Sequence, residues 1–212
     1  LGSSVHEKVQ TILDDVKHHG EKAIFELSRQ FDRACPKSLE IAKEDLEAAA
    51  NELKANSPEI YDALCYSRDL ALAFSAEQRK CFTNFEIELR PGLFTGQKTI
   101  PVERAGIYVP AGRFPLLSSV IMGVTPAKAA GCDEVILCTP PMPHPENKDK
   151  PYADQGIMAA AYICGVDKVF AVGGAQAIGA MCYGTESIPQ VQVIAGPGNK
   201  FVAEAKRIVY GE

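Results

Sequence analysis

Apolar residues at the start of the chain recur with helical spacing: Val5, Val9, Ile12, Leu13 and Val16 share one face. Gly20, after His18-His19, predicts the end of that helix. A second helix is predicted through Ala23, Ile24, Leu27 and Phe31, and a third carries Leu46, Ala50 and Leu53. Ser57-Pro58 predicts an N-cap followed by proline in the first helical position, opening a helix that runs to about Arg79. From Thr83 the period changes. Phe85, Ile87 and Leu89 alternate with Asn84, Glu86 and Glu88, which predicts a strand with one wet face. Pro91-Gly92 marks a turn, and Gln97-Lys98 lies in another polar connection.

From Arg104 a unit repeats. AGIYV leads into SSVIMGVTPAKAAG, DEVILC into GIMAAAYICG, KVFAV into GGAQAIGAMCYG, and VQVIA into GPGNKFVAEAKRIVYG. Strand–helix alternation with unbroken apolar strands predicts a parallel sheet buried on both faces by helices. Right-handed crossovers then place the C-terminal ends of these strands along one edge. Pro126 predicts a kink in the first of these helices. The connection from Pro140 to Gln155 is long, polar and proline-rich, and reads as a mobile surface loop. His144, inside it, reads as solvated.

The chain has 212 residues, 46% of them hydrophobic and 23% charged, with a net charge of −5. That suffices for one large domain or two small ones, and excludes disorder, collagen and coiled coil as overall descriptions. No basic field suggests nucleic acid. No apolar run approaches a membrane span, and LGSSVHEKVQ lacks the features of a signal peptide. The first residue is Leu rather than Met, which points to a processed or cut chain. The seven cysteines contain no C-x-x-C pair and several sit in apolar segments. They read as buried thiols of a cytoplasmic protein rather than as a zinc site.

Three glycine-bearing turns follow strands at the same edge: Val109-Pro110-Ala111-Gly112, Val172-Gly173-Gly174-Ala175-Gln176 and Ala195-Gly196-Pro197-Gly198-Asn199. Glycine lets backbone approach a ligand, and the following helix offers N–H groups to an anion such as a pyrophosphate. Such turns also need glycine for ordinary reasons, and none reads G-x-G-x-x-G or G-x-x-x-x-G-K-[ST]. Gln176 and Asn199 stand where a strand hands over to a helix. A carboxamide there contacts a ribose or nicotinamide without adding charge; for Asn199 a helix cap is the alternative. Tyr108, near the end of its strand, either flanks a base or ribose or fills the core. Arg113 reads as a phosphate or carboxylate contact or as a solvated loop arginine. Lys128 reads as solvent-facing, and Glu186 as a general base or a loop carboxylate. No catalytic histidine, paired carboxylate or zinc motif accompanies these residues.

Taken in this order, the segments VKHHGEKAIFELSRQFD, ELRPGLFTGQKTIPVERAGIYVPAG, PAKAAGCDEVILCTPP, CGVDKVFAVGGAQAIGAMCYGTESIP and VIAGPGNKFVAEAKRIVYG resemble the histidinol dehydrogenase family. The resemblance covers nearly the whole chain from Val9 to Gly211. It implies an α/β fold: a Rossmann-like parallel sheet with flanking helices, preceded by a helical N-terminal region, in an aldehyde-dehydrogenase-like, histidinol-dehydrogenase-like architecture. It places the helical region and the start of a first α/β domain in 1–103, and a Rossmann-like NAD-binding domain in 104–212. It implies a zinc-dependent, NAD-linked, homodimeric oxidoreductase that takes the amino alcohol L-histidinol through the aldehyde to L-histidine. Tyr108, Gln176 and Asn199 match the family's NAD-contacting residues. The family's zinc ligands and catalytic Glu-His pair match no position here, so the chain is expected to be a partial chain or a truncated relative, without turnover of its own. Ala111 replaces a glycine usual in the family, and Arg113-Phe114-Pro115 is similar to the related dehydrogenases of sulfonated diols. A sulfopropanediol dehydrogenase and a non-catalytic nucleotide-binding or dimer-forming module are therefore the alternatives.

Overall fold

Residues 4–111 and 115–211 are described by a computed structural model. Gly112 and Arg113 lie outside them. The first helix, α1 (Val5–Phe31), opens on a capping box: Glu7 N–H donates to Ser4 Oγ at 3.2 Å, and Ser4 N–H donates to the Glu7 carboxylate at 2.7 Å. At Gly20 (φ +54°, ψ −132°) the helix breaks into two arms, where the sequence predicts a helix end. The break is held from far along the chain. Glu21 N–H donates to the Glu186 carboxylate at 2.9 Å, and the Ser187 N–H and hydroxyl donate to the Glu21 carboxylate. Glu186 is thus a loop carboxylate that caps the second arm; its own N–H and that of Glu21 hold it below the usual carboxylate range.

Next come β1 (Glu40–Ile41), α2 (Lys43–Asn56) and α3 (Pro58–Lys80). Pro58 opens α3 as expected, but the Ser57 side chain makes no capping bond; its carbonyl instead accepts from the Ile60 and Tyr61 N–H groups. β2 (Phe85–Arg90) and β3 (Leu93–Gln97) form an antiparallel hairpin. The second strand, LFTGQ, has no apolar alternation to reveal it. Both faces of the hairpin are exposed, Phe85, Ile87 and Leu89 included, where the alternation predicts one covered face.

The four repeating units follow as predicted: β4 (Arg104–Tyr108), α4 (Leu117–Ala130), β5 (Glu134–Thr139), α5 (Gln155–Cys164), β6 (Lys168–Ala171), α6 (Gly174–Tyr183), β7 (Val193–Ala195) and α7 (Lys200–Ile208). Sheet order is β1-β6-β5-β4-β7, with β4 to β7 mutually parallel and β1 antiparallel to β6 on the edge. The sheet is therefore mixed. The two residues of β1 are too few to carry a period. α4 continues past Pro126 as one helix.

Successive strand residues point to opposite faces. Ile136, Cys138 and Phe170 pack with α1, α6 and α7, while Val135, Leu137 and Val169 pack with α2, α4 and α5. Burying a side chain such as Phe170 stabilises by about 1.5–3 kcal/mol. The cysteines are thiols; burial pushes Cys138 up to about 12 and Cys164 up to about 11. Lys128 pairs with Asp167. The 140–155 loop is anchored: Met142 N–H donates to Tyr152 O, Lys37 N–H to Asp149 O, and Lys150 pairs with Asp45. His144 organises it by accepting the Glu146 and Asn147 N–H groups.

α4 and β4 meet at Gly123, where a Cβ would stand 2.6 Å from Ile107 Cγ2. Gly→Ala inside a helix ordinarily stabilises by about 1 kcal/mol. Here Gly123→Ala is expected to destabilise by about 1–3 kcal/mol through overpacking against a stiff β-branched side chain. Ile107→Ala in the same chain should remove most of that specific penalty in a double-mutant cycle read by chemical unfolding; additive losses would count against the contact.

Candidate functional site

The chain builds β4, β5 and β6 outward in one direction, then returns to lay β7 on the other side of β4. Right-handed crossovers put the helices of the first two units and those of the last two on opposite faces. The loops after β4 and β7 therefore part, and a crevice opens at the strand ends. A cleft of about 760 Å³ occupies this position. Both arms of α1 wall it, through Lys8 and Ile12 on one side and Leu27 and Asp32 on the other. Its floor joins Tyr108, Gly174, Gln176 and Asn199. The three residues singled out from the sequence are thus brought together. Glu186, Lys128 and the four histidines, by contrast, do not line the cleft. His6 contacts Glu204, His18 the Asp14 carbonyl and His19 Asp15.

Each of the three has part of its bonding capacity already committed. Gly174 N–H donates to the Tyr108 hydroxyl at 3.1 Å, which leaves the phenol proton available. Tyr108 is also a core residue, 3% exposed. Burial pushes its phenol above the usual range, the Gly174 N–H works against this, and Asp32 adds to it, so Tyr108 is a donor at neutral pH. The Asn199 oxygen accepts the Phe201 and Val202 N–H groups at 2.9 and 3.1 Å, so Asn199 is a helix cap whose amino group remains to donate. Gln176, 2% exposed, donates through Nε2 to Asp32 Oδ2 at 3.4 Å, which leaves Oε1 as an acceptor.

Backbone geometry brings these groups close. Gly196 (φ +125°) lies against β4, where a Cβ would stand 2.0 Å from the Tyr108 carbonyl oxygen. Lys206 Nζ donates to the Gly196 carbonyl at 2.6 Å and holds this turn from behind. Gly174 takes φ +64°, and a Cβ on it would stand 2.6 Å from Gln176 Oε1. The N-cap residue Gly173 has no side chain to cap α6, and the Tyr108 hydroxyl takes the Gly174 N–H, so the next amides of the first turn, at Ala175 and Gln176, remain beside the cleft with the partial positive charge of the helix end. Donors from Tyr108, Asn199 and α6 surround one acceptor, Gln176. The set suits an elongated polar ligand with anionic and hydroxyl or amide groups.

Asp32 and Lys206 escape the sequence reading. Asp32 ends α1, where the helix dipole disfavours an acid, and that misfit is the one local signal of a special role. Burial holds its carboxyl above the usual range, opposed by hydrogen bonds from Ser28 and Gln176. A raised value means that the stability Asp32 contributes is complete below the unfolded carboxylate range, near about pH 3.9, and is lost as pH rises through the folded value. Asp32→Asn is therefore expected to gain on the parent as pH rises from about 4 to about 7. Chemical unfolding of both proteins at the two pH values checks this; a pH-independent difference would contradict it.

The family model for histidinol dehydrogenase matches residues 2–212. The chain is 42% identical over 206 residues to the histidinol dehydrogenase of Escherichia coli (strain K12), covering 97% of this chain and 44% of that protein. It is 39% identical over 210 residues to the sulfopropanediol 3-dehydrogenase of Ruegeria pomeroyi, covering 99% and 46%. The crystal structure of histidinol dehydrogenase from Elizabethkingia anophelis superposes with a TM-score of 0.85 at 31% identity, over 99% of this chain and 46% of that one. The chain thus spans less than half the length of these relatives.

Proposed function

The chain belongs to the histidinol dehydrogenase family, and from that premise we propose that its cleft is the coenzyme-binding half of an NAD-linked dehydrogenase that oxidises L-histidinol to L-histidine through the aldehyde. The observation that supports this is the meeting of Tyr108, Gln176 and Asn199 on one cleft at the strand-order reversal. Its volume of about 760 Å³ lies within the range of small-molecule and cofactor sites. The residues present fit NAD. The α6 amides and the Asn199 amino group offer donors to a pyrophosphate or ribose, the Tyr108 hydroxyl adds a donor beneath them, and the Gln176 oxygen accepts. Gly174 and Gly196 keep side chains out of the path. When bound, the nicotinamide ring supplies the hydride acceptor. This chain's own residues bind the coenzyme, orient it and keep water from its inner face. A cytoplasmic homodimer acting on an amino alcohol belongs to the same proposal.

Zinc, the other cofactor that the resemblance implies, does not fit these residues. Among the described residues no cluster of three His, Cys, Asp or Glu side chains is placed to hold a metal ion. No step through zinc is assigned to this chain.

Titration calorimetry of the chain with NAD is expected to show saturable binding, and Gln176→Ala or Asn199→Ala should each weaken it about tenfold, the value of one lost hydrogen bond in a desolvated site. Absence of any binding would overturn the reading. With histidinol, zinc and NAD supplied together, the chain by itself is expected to produce no NADH; robust turnover would show that the reacting groups lie within it. The near-equal similarity to the sulfopropanediol enzyme supports a second reading, in which the substrate is a sulfonated diol. Turnover of the two alcohols by the natural protein that carries this sequence separates the readings.

A further inference from the structure

Gln176 is 2% exposed, and its carboxamide has two ways to face. One presents an acceptor to the cleft and the other presents donors. The choice rests with the groups around it. Asp32 Oδ2 lies 3.4 Å from Nε2, and the same oxygen accepts from the Ser28 hydroxyl at 2.8 Å. Ser28 also holds the backbone of Asp32, whose N–H donates to the Ser28 carbonyl at 2.9 Å. Turning the amide over would set Oε1 against a carboxylate oxygen, a contact without a proton to share. Gly173 makes the approach of the acid possible, since a Cβ there would stand 3.0 Å from Asp32 Oδ1 and from Pro140 Cγ. Among the described residues, no lysine or arginine pairs with Asp32 and Oδ1 accepts no hydrogen bond. The acid sits at the unfavourable end of a helix, partly desolvated, with Gln176 and Ser28 as its side-chain partners.

We infer that Asp32 is a positioning residue: it locks the Gln176 carboxamide with Nε2 turned back toward α1 and Oε1 over Gly174, so that the cleft offers an acceptor to a hydrogen-bond donor of the ligand. This assignment rests on the reading of the cleft as a coenzyme site and adds the polarity of the contact. The ligand group that meets Gln176 is a donor. On a nicotinamide coenzyme that donor is either the carboxamide amino group or a ribose hydroxyl.

The test is a double-mutant cycle on NAD binding by calorimetry, using the chain as it stands. Asp32→Ala is expected to weaken NAD about tenfold, as Gln176→Ala does, while the thermal midpoint at neutral pH is not lowered. In the Gln176→Ala background, Asp32→Ala should have no further effect. Asp32→Asn keeps an oxygen acceptor facing Nε2 and should retain affinity to within about threefold of the parent. Should Asp32→Ala not fold, Asp32→Ser reads the same cycle. Nicotinic acid adenine dinucleotide, which lacks the amino donor, distinguishes the two ligand groups. It binds the parent more weakly than NAD does if the carboxamide is the partner, and about equally if a ribose hydroxyl is. Additive losses from Asp32→Ala and Gln176→Ala would overturn the assignment, as would an unchanged affinity in Asp32→Ala beside a weakened one in Gln176→Ala. If Gln176→Ala itself leaves NAD binding unchanged, the coenzyme reading of the cleft falls, and the role of Asp32 with it.

Discussion

Where β7 leaves the sheet, no side chain separates Gly196 from the carbonyl of Tyr108, and a Cβ in that gap would stand 2.0 Å from the oxygen. The rest of the cleft is arranged around this approach. Because the turn lies so close to β4, α7 begins beside the strand end rather than beyond it. Asn199 can then cap α7 and border the same space as the Tyr108 ring. Lys206 reaches back from α7 to the Gly196 carbonyl, so the helix that the turn launches also fixes the turn. One crowded backbone contact thereby becomes a rigid floor, which a polar site needs if its donors are to stay aimed without ligand.

Electrostatically, the floor is built from neutral groups and helix amides, with one acid beneath them. Ion pairs occur at the other end of the sheet, where Arg104 and Lys168 meet Glu134 at the N-terminal ends of the central strands β4, β6 and β5. Neutral donors suit a ligand that carries its own charge and must also leave. The exception, Asp32, is set below Gln176 and held by Ser28. A desolvated acid at the end of a helix lowers stability, and natural sites commonly trade stability for orientation in this way.

Much of the fold is legible in the chain because β4, β5 and β6 are buried on both faces and read as unbroken apolar runs. β4 to β7 and the helices after them follow directly from that pattern. β1 and β3 do not: two residues carry no period, and LFTGQ is set by its pairing with β2 rather than by its own alternation. The site is legible in part. Tyr108, Gln176 and Asn199 stand out from their places at strand ends, and for two of them a structural role stands beside a place on the cleft. Tyr108 is core and cleft at once, and Asn199 caps a helix while it lines the cleft. Asp32 and Glu186 act across more than a hundred residues of chain, on Gln176 and Glu21 respectively, and nothing local announces such partners.

The broken helix at the start of the chain has a temporal consequence. Its apolar stripe packs against α6 and α7, its second arm is capped by Glu186, and Ser187 donates to the Glu21 carboxylate. An amphipathic helix gains little stability before its partner surface exists. During synthesis, the first thirty or so residues leave the ribosome long before those partners, and closure of so long a loop is slow. The wall of the cleft made first therefore waits on residues made much later, and a nascent chain halted short of Ser187 lacks both β7 and the Asn199 side of the cleft.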